Sequence, residues 1–286
     1  MKTLNIISAI LILMMAGCRP KPLDIDLPQA ETKLVVASQV IPNSIMIVVV
    51  SKSFGALDYS DDYDTTSVSP LTNVLVKNAK VTISYNGVTD DLYPVTDAPG
   101  LYFSLTTPQY INTEYTLKVY DPETGLSVNS SAKMLNQVLL DDVTAKKGDG
   151  KDSNDIKIHF KFTDPAGEKN WYMLNFYNPN DTAQSSGGLF EPKTSEYYTL
   201  LLSDEMFDTE EISGDITMYQ WTTDTIGVSL SNISEGYFNY LSARKRGGRI
   251  ISSLMHEPIN YPTNIEGGYG FFTTHFPDIR LVKVED

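Results

Sequence analysis

An all-β fold in two domains is the class this sequence predicts: an N-terminal immunoglobulin-like β-sandwich, then a second β-rich domain with one short helix. Three observations predict it. Runs rich in β-branched residues recur at short intervals through residues 31–135. An Asn86-Gly87 pair follows one of them, a strong hairpin signal. Within Asp155–Phe162, Ile156, Ile158, Phe160 and Phe162 alternate with Lys157, His159 and Lys161. That period of two belongs to a half-buried strand.

The first 17 residues stand outside both domains. Lys2 gives a positive start, and Leu4 to Met15 form an apolar run about as long as a secretory h-region. Ala16 and Gly17 are small, as a signal-peptidase site requires, and Cys18, the only cysteine, follows at once. The arrangement resembles the lipobox of bacterial lipoproteins, with Met15 where leucine is usual. A transmembrane helix needs about 20 apolar residues; this run is shorter and meets Arg19 and three prolines. Residues 1–17 therefore read as a lipoprotein signal peptide and Cys18 as the lipidated residue. Each buried acyl CH₂ contributes about 0.8 kcal/mol, so a multiply acylated Cys18 would stay in a membrane essentially permanently. Residues 18–30 carry Pro20, Pro22 and Pro28 and read as a tether. In a PPII-like state it would reach roughly 35 Å.

Residues 31–135 hold the predicted sandwich. Lys33–Val40 and Ile45–Val50 open it as strands. Asp58–Ser69 interrupts it as a polar, acidic loop. Val81–Tyr85 leads into Asn86-Gly87, where a two-residue turn needs φ > 0 at both positions. Tyr115, Leu117 and Val119 alternate with Thr116, Lys118 and Tyr120. Asp121–Gly125 makes a turn, and Leu126–Ala132 returns as a strand. About seven short strands in ~100 residues suit an immunoglobulin-like sandwich.

The second domain spans residues 136–286. Lys146–Asn154 is a polar loop before the strand Asp155–Phe162. Trp171–Tyr177, Ser195–Leu202, Thr225–Leu230 and Ile279–Val284 also read as strands. Ser234–Ala243 is the helix: Ile233, Tyr237 and Leu241 recur at helical spacing beside Phe238. Ser231, Asn232 and Ser234 are candidate N-caps, and Gly247-Gly248 would end the helix. Arg244, Lys245 and Arg246 suit its C-terminal end, where the dipole favours cations. With Arg249 they could also hold an anion.

Composition excludes several classes. Hydrophobic content of 41% and charged content of 20% fit a globular protein. The net charge of −14 argues against nucleic acid, which demands basic patches. With Cys18 acylated no thiol remains, so the cores must hold without disulfides. His256-Glu257 begins like a zincin helix, but Asn260 stands where the second histidine belongs and Pro258 would break the helix. His159 falls on the polar face of a strand, and His275 reads as part of a polar turn before Pro277. Gly125-Leu126-Ser127-Val128-Asn129 lacks the last glycine of a nucleophile elbow. Asp58–Asp64 and Asp149–Asp155 are rich in oxygen ligands without a full EF-hand pattern. No catalytic, metal or cofactor residue is assigned. Trp171-Tyr172 and Tyr197-Tyr198 each put one ring on either face of a strand; at least one suits the core, and the other fits ordinary β-propensity first and stacking on a sugar or aromatic ligand second.

Several segments resemble one family, the Bacteroidota outer-membrane lipoproteins grouped as domain of unknown function 4249. They are Leu23–Pro28 with Lys33–Val36, Asp164–Glu168 with Trp171-Tyr172, and Ser203–Phe207. The most specific is Glu257-Pro258 followed by Asn264-Ile265-Glu266-Gly267-Gly268-Tyr269-Gly270-Phe271-Phe272. Ala37-Ser38 departs from the glycine that commonly follows the Val-Val strand. In the terminal signature, Gly267, Gly268 and Gly270 allow φ > 0 and close backbone approach before a last strand from Phe271, and Asn264 can cap a turn. The resemblance implies a non-enzymatic accessory protein of a TonB-dependent receptor system, active in ligand binding or uptake. A surface adhesin or glycan-binding module is the alternative, and a carboxylate-based hydrolase the third. The implied partners are outer-membrane lipid through Cys18 and a TonB-dependent receptor. Arg19–Pro22 precedes the first acidic residue, which leans toward the periplasmic leaflet. Thr65, Thr182 and Thr225 each follow an aspartate and resemble O-glycosylation acceptors of exported proteins in that phylum.

Overall fold

Backbone preference and turn chemistry account for the first sheet. The computed structural model describes residues 31–41, 45–53, 74–148, 154–180, 197–247 and 261–285. Cys18, the loop Asp58–Ser69, Thr65, Thr182 and His256-Glu257 lie outside the described residues. β1 (Leu34–Ile41) and β2 (Ile45–Lys52) pair antiparallel from Leu34↔Lys52 to Ile41↔Ile45. β3 (Lys80–Tyr85) and β4 (Val88–Pro94) join through Asn86 at φ 46° and Gly87 at φ 79°, both positive as the turn requires. β5 (Leu101–Ser104), β6 (Glu114–Tyr120) and β7 (Ser127–Lys133) complete the order β1-β2-β5-β4-β3-β6-β7.

This sheet folds back on itself at the short β4–β5 pairing, Tyr93↔Phe103 and Pro94↔Tyr102. Leu34, Val36, Met46, Val48 and Val50 from one half share a core with Val81, Ile83, Leu117, Val119 and Val128 from the other. The first, second and fifth strands thus face the fourth, third, sixth and seventh, the immunoglobulin-like plan. Tyr115 adds the tyrosine corner of such folds. It is fully buried near the start of β6, its hydroxyl donates to Pro108 O at 2.6 Å, and it accepts from Tyr110 N at 2.7 Å.

The second sheet is built from β8 (Leu140–Lys147), β9 (Ile156–Thr163), β10 (Trp171–Tyr177), β11 (Tyr197–Ser203), β12 (Glu211–Met218), β13 (Thr225–Ile233) and β15 (Asp278–Glu285). Their order is β11-β10-β13-β15-β8-β9-β12. The alternation in β9 works as expected: Ile156, Ile158, Phe160 and Phe162 are buried, and Lys157, His159 and Lys161 are not. They pack with Tyr172, Leu174 and Phe176 of β10 and Ile226, Val228 and Leu230 of β13. β12 follows the same period, with Ile212 and Met218 buried between Glu211, Ser213, Asp215 and Thr217. Burying a side chain of this size contributes about 1.5–3 kcal/mol.

Two features join the halves. Helix α1 (Glu235–Gly247) follows β13 and packs against β10. Ser234 caps it, its Oγ accepting from Tyr237 N at 3.3 Å. Ile233, read as the start of the helical stripe, is instead the buried last residue of β13. β14 (Tyr269–Phe271) then pairs parallel with β1. Residues 269–271 fall in the 136–286 block, yet they hydrogen-bond into the first sheet, because the β1 edge is otherwise unpaired. The chain returns to the second sheet only with β15.

Candidate functional site

The glycine-rich signature occupies the gap between the first sheet's two edge strands. On one side, Val35, Val36 and Ala37 pair with Tyr269, Gly270 and Phe271. On the other, Glu266 N donates to Asn129 O at 2.9 Å, and Ser130 Oγ donates to Asn264 O at 2.8 Å. Asn264 pins the ends of the loop: Nδ2 donates to Phe272 O at 2.7 Å, and Oδ1 accepts from Phe272 N at 2.9 Å. Gly270 is obligatory, with φ +96° and an added Cβ only 1.9 Å from Val36 O. Ser38 clamps the exit. Its Oγ donates to Thr273 O at 3.0 Å and accepts from Thr273 N at 2.7 Å. The strand begins at Tyr269 rather than at Phe271.

Beyond the loop, Phe271 meets helix α1. Its ring lies 5.4 Å from Tyr237 and 5.3 Å from Tyr240, and Gly236 leaves room for it. His275 corrects the expectation of a polar turn. It is 4% exposed and stacks on Tyr237 at 6.4 Å and 17°. It is buried because the chain passes beneath the helix on its way to β15. Desolvation pushes its pKa down to about 4. Its Nδ1 is buried without a protein partner among the described residues.

A cleft of about 340 Å³ opens where the helix, β1 and the signature meet. Val35, Gly270, Tyr240, Arg244, Tyr261 and Tyr269 line it. Tyr240 and Arg244 are one helical turn apart, so both project toward the signature. The Tyr240 and Tyr261 rings meet edge-on at 6.4 Å. Arg244 lies over Tyr240 at 5.7 Å, and Lys33 lies over Tyr269 at 5.3 Å. Tyr261 is 38% exposed and Tyr269 48%. These rings therefore offer faces or edges to solvent instead of filling a core.

A second cavity, of about 380 Å³, lies beside Lys147, Asn154, Trp221, Asp224 and Lys283. Trp221 is only 5% exposed, so its ring belongs to the second core and presents little face to a ligand.

The sequence-singled residues are scattered by comparison. His159 Nδ1 sits 3.0 Å from Asp215 Oδ1 on the outer face of β9 and β12. Lys245 lies over Tyr198 at 5.1 Å and donates to Thr199 O at 3.4 Å. Thr225 opens β13, its hydroxyl donating to Asp224 Oδ1 at 3.1 Å. Asp155 Oδ1 accepts from Gln220 N at 3.3 Å. Among the described residues no three His, Cys, Asp or Glu side chains are grouped to hold a metal ion. No helix among them is long and apolar enough to cross a membrane. Of the aromatic pairs, Tyr172 is core and Trp171 half-buried, while Tyr198 is exposed.

The other motif residues brace the second domain. Tyr172 donates its hydroxyl to Asp164. Burial, then that carboxylate, raises the phenol's pKa. Asp204 Oδ2 accepts from Asn170 N at 2.8 Å, joining the start of β10 to the turn after β11. Lys169 pairs with Glu205 beside it. Sequence reasoning did not assemble the tyrosine cleft. The available signals were Tyr237, Tyr240 and Arg244 on one helical face and Tyr269 inside the signature.

Solved structures with some likeness to the chain include two cytokine receptor complexes. One is 12% identical, covering 69% of this chain and 82% of that chain at a TM-score of 0.23. The other is 9% identical, covering 71% and 91% at a TM-score of 0.22. Scores this low carry no argument. No curated protein matches the sequence. The model of one family, described as "Domain of unknown function (DUF4249)", matches residues 20–275, most of the described sandwich, helix and signature. The chain belongs to that family.

Proposed function

We propose that this chain is a lipid-anchored, non-enzymatic outer-membrane protein that holds a ligand beside a TonB-dependent receptor. The observation that carries the binding role is the tyrosine cleft. Its lining presents rings and a guanidinium, groups that hold and orient a ligand. Thr263, also at its edge, already accepts Ile265 N on its hydroxyl. The lipobox-like end at Cys18 and the proline tether support the membrane placement.

Detergent extraction of cells carrying the tagged full chain, followed by affinity capture, tests the reading. A TonB-dependent receptor is the expected co-purifying partner, and a clean capture without one overturns the role. Cys18→Ser is expected to leave the chain in the soluble fraction and to abolish labelling by a palmitate analogue. Protease treatment of intact cells decides which leaflet it faces; the expected result is protection.

A further inference from the structure

The geometry points to an acidic saccharide as the ligand of the tyrosine cleft: a pyranose carrying a carboxylate or a sulfate. This deepens the binding role proposed above and rests on it. Three features select the class. Tyr240, Tyr261 and Tyr269 line one cleft, and the last two are 38% and 48% exposed. Exposed rings of this kind suit the C–H faces of a sugar, because a phenol combines an apolar body with a polar tip. Their phenol hydroxyls can both donate to and accept from ligand hydroxyls.

The charge in the cleft runs against the charge of the chain. The protein carries a net −14, yet the charged residue lining the cleft is Arg244, and Lys33 lies over the Tyr269 ring at its edge. Arg244 has no carboxylate partner among the described residues and is exposed at the end of α1. Arg244 lies over Tyr240, and its guanidinium N–H donors suit a planar or tetrahedral anion. The volume of about 340 Å³ fits one or two sugar rings, not a long chain. Carboxylate and sulfate both satisfy the same fork of donors.

Titration calorimetry of the full chain with three probes tests this: a galacturonate oligomer, a heparin-derived oligosaccharide and neutral cellohexaose. At least one acidic probe is expected to bind with a Kd below ~1 mM, at least ~10-fold tighter than the neutral one. Binding of galacturonate alone identifies the carboxylate, and binding of heparin fragments alone identifies the sulfate. Arg244→Gln is expected to erase the preference for the acidic probe, and Tyr261→Ala to weaken it by ~10-fold. Both side chains are exposed, and circular dichroism melting of each variant confirms that it folds. Equal binding of acidic and neutral probes, no binding of any probe, or an unchanged Kd in Arg244→Gln overturns the proposal. Receptor capture without saccharide binding refutes this inference and leaves the receptor role standing. Saccharide binding without a captured receptor does the reverse.

Discussion

Each core of this protein is held by a buried tyrosine near the start of a strand, and the two differ in what they grip. Tyr115 and Tyr172 are both 0% exposed. Each is the second residue of its strand, and each reaches back seven or eight residues. Tyr115 bonds only backbone, Pro108 O and Tyr110 N. Tyr172 bonds a carboxylate, Asp164, that is itself 9% exposed. The same corner is thus neutral in the first domain and charge-assisted in the second. Charge-assisted bonds are stronger, and removing one partner leaves a buried ionic group that is costly to strand.

The two sheets also close differently. The second core is enclosed by strands that neighbour it in sequence, apart from β15. The first borrows residues 264–273 from beyond the helix to fill the space between β1 and β7. An open edge of that kind would invite pairing with other chains. In the first sheet the β1 edge is therefore covered by a segment from the far end of the chain.

The sharpest break in that arrangement is Gly270→Ala. A methyl group would meet Val36 O, and φ +96° penalises any side chain. The expected loss is about 3 kcal/mol or more in denaturant unfolding, with hydrogen exchange accelerating in β1 before β9. Unchanged stability would mean that β14 does not close the sheet in solution.

Next comes the seam, where His275 is buried without charge. Its folded pKa of about 4 lies below the ordinary 6.5. The unfolded chain binds the extra proton first, so the contribution is present above about pH 6.5 and is lost as pH falls toward 4. That loss is on the order of 3 kcal/mol. His275→Phe should flatten the stability curve between these limits; a curve that keeps its slope would place the sensitivity elsewhere.

The tyrosine corners themselves give a smaller, paired test. Tyr172→Phe strands the Asp164 carboxylate and should cost about 2–3 kcal/mol, whereas Tyr115→Phe strands only backbone groups and should cost about 1–2. Equal losses in urea titration would remove the distinction between the two corners. Both phenols have raised pKa values because burial disfavours the phenolate. Tyr85 is pushed to about 12 by burial and by Asp90. This stabilisation is complete below about pH 10 and declines above it, as the unfolded tyrosines ionise first. The smallest effect is at the helix between the domains: Ser234→Ala should cost about 1 kcal/mol through the lost cap.

Particular elements were legible in the sequence for local reasons. The β9 face, the Asn86-Gly87 turn, the β1 and β2 runs and the Ser234 cap each follow from a period or a turn residue within a few positions. Strand β12 carried the same alternation in Glu211–Met218, but Gly214 in its middle weakened the signal. β5 is four residues long and gave too short a pattern to read. The burial of His275 was illegible, since the neighbouring Thr273, Thr274 and Pro277 look like a polar turn until a helix covers them.

The sequence alone determined an all-β class, the hairpin register in the first sheet, the helix and its cap, and the glycines that a close backbone approach demands. Those properties depend on residues near one another in the chain. Tertiary structure decided that residues 264–273 seal the first sheet, that His275 is buried, and that Tyr240, Arg244, Tyr261 and Tyr269 share one cleft. The reason is separation: Val35 and Tyr269 are paired neighbours although more than 200 positions lie between them. No local period encodes such a contact. It forms because an unpaired strand edge and a glycine-lined segment satisfy each other's backbone groups.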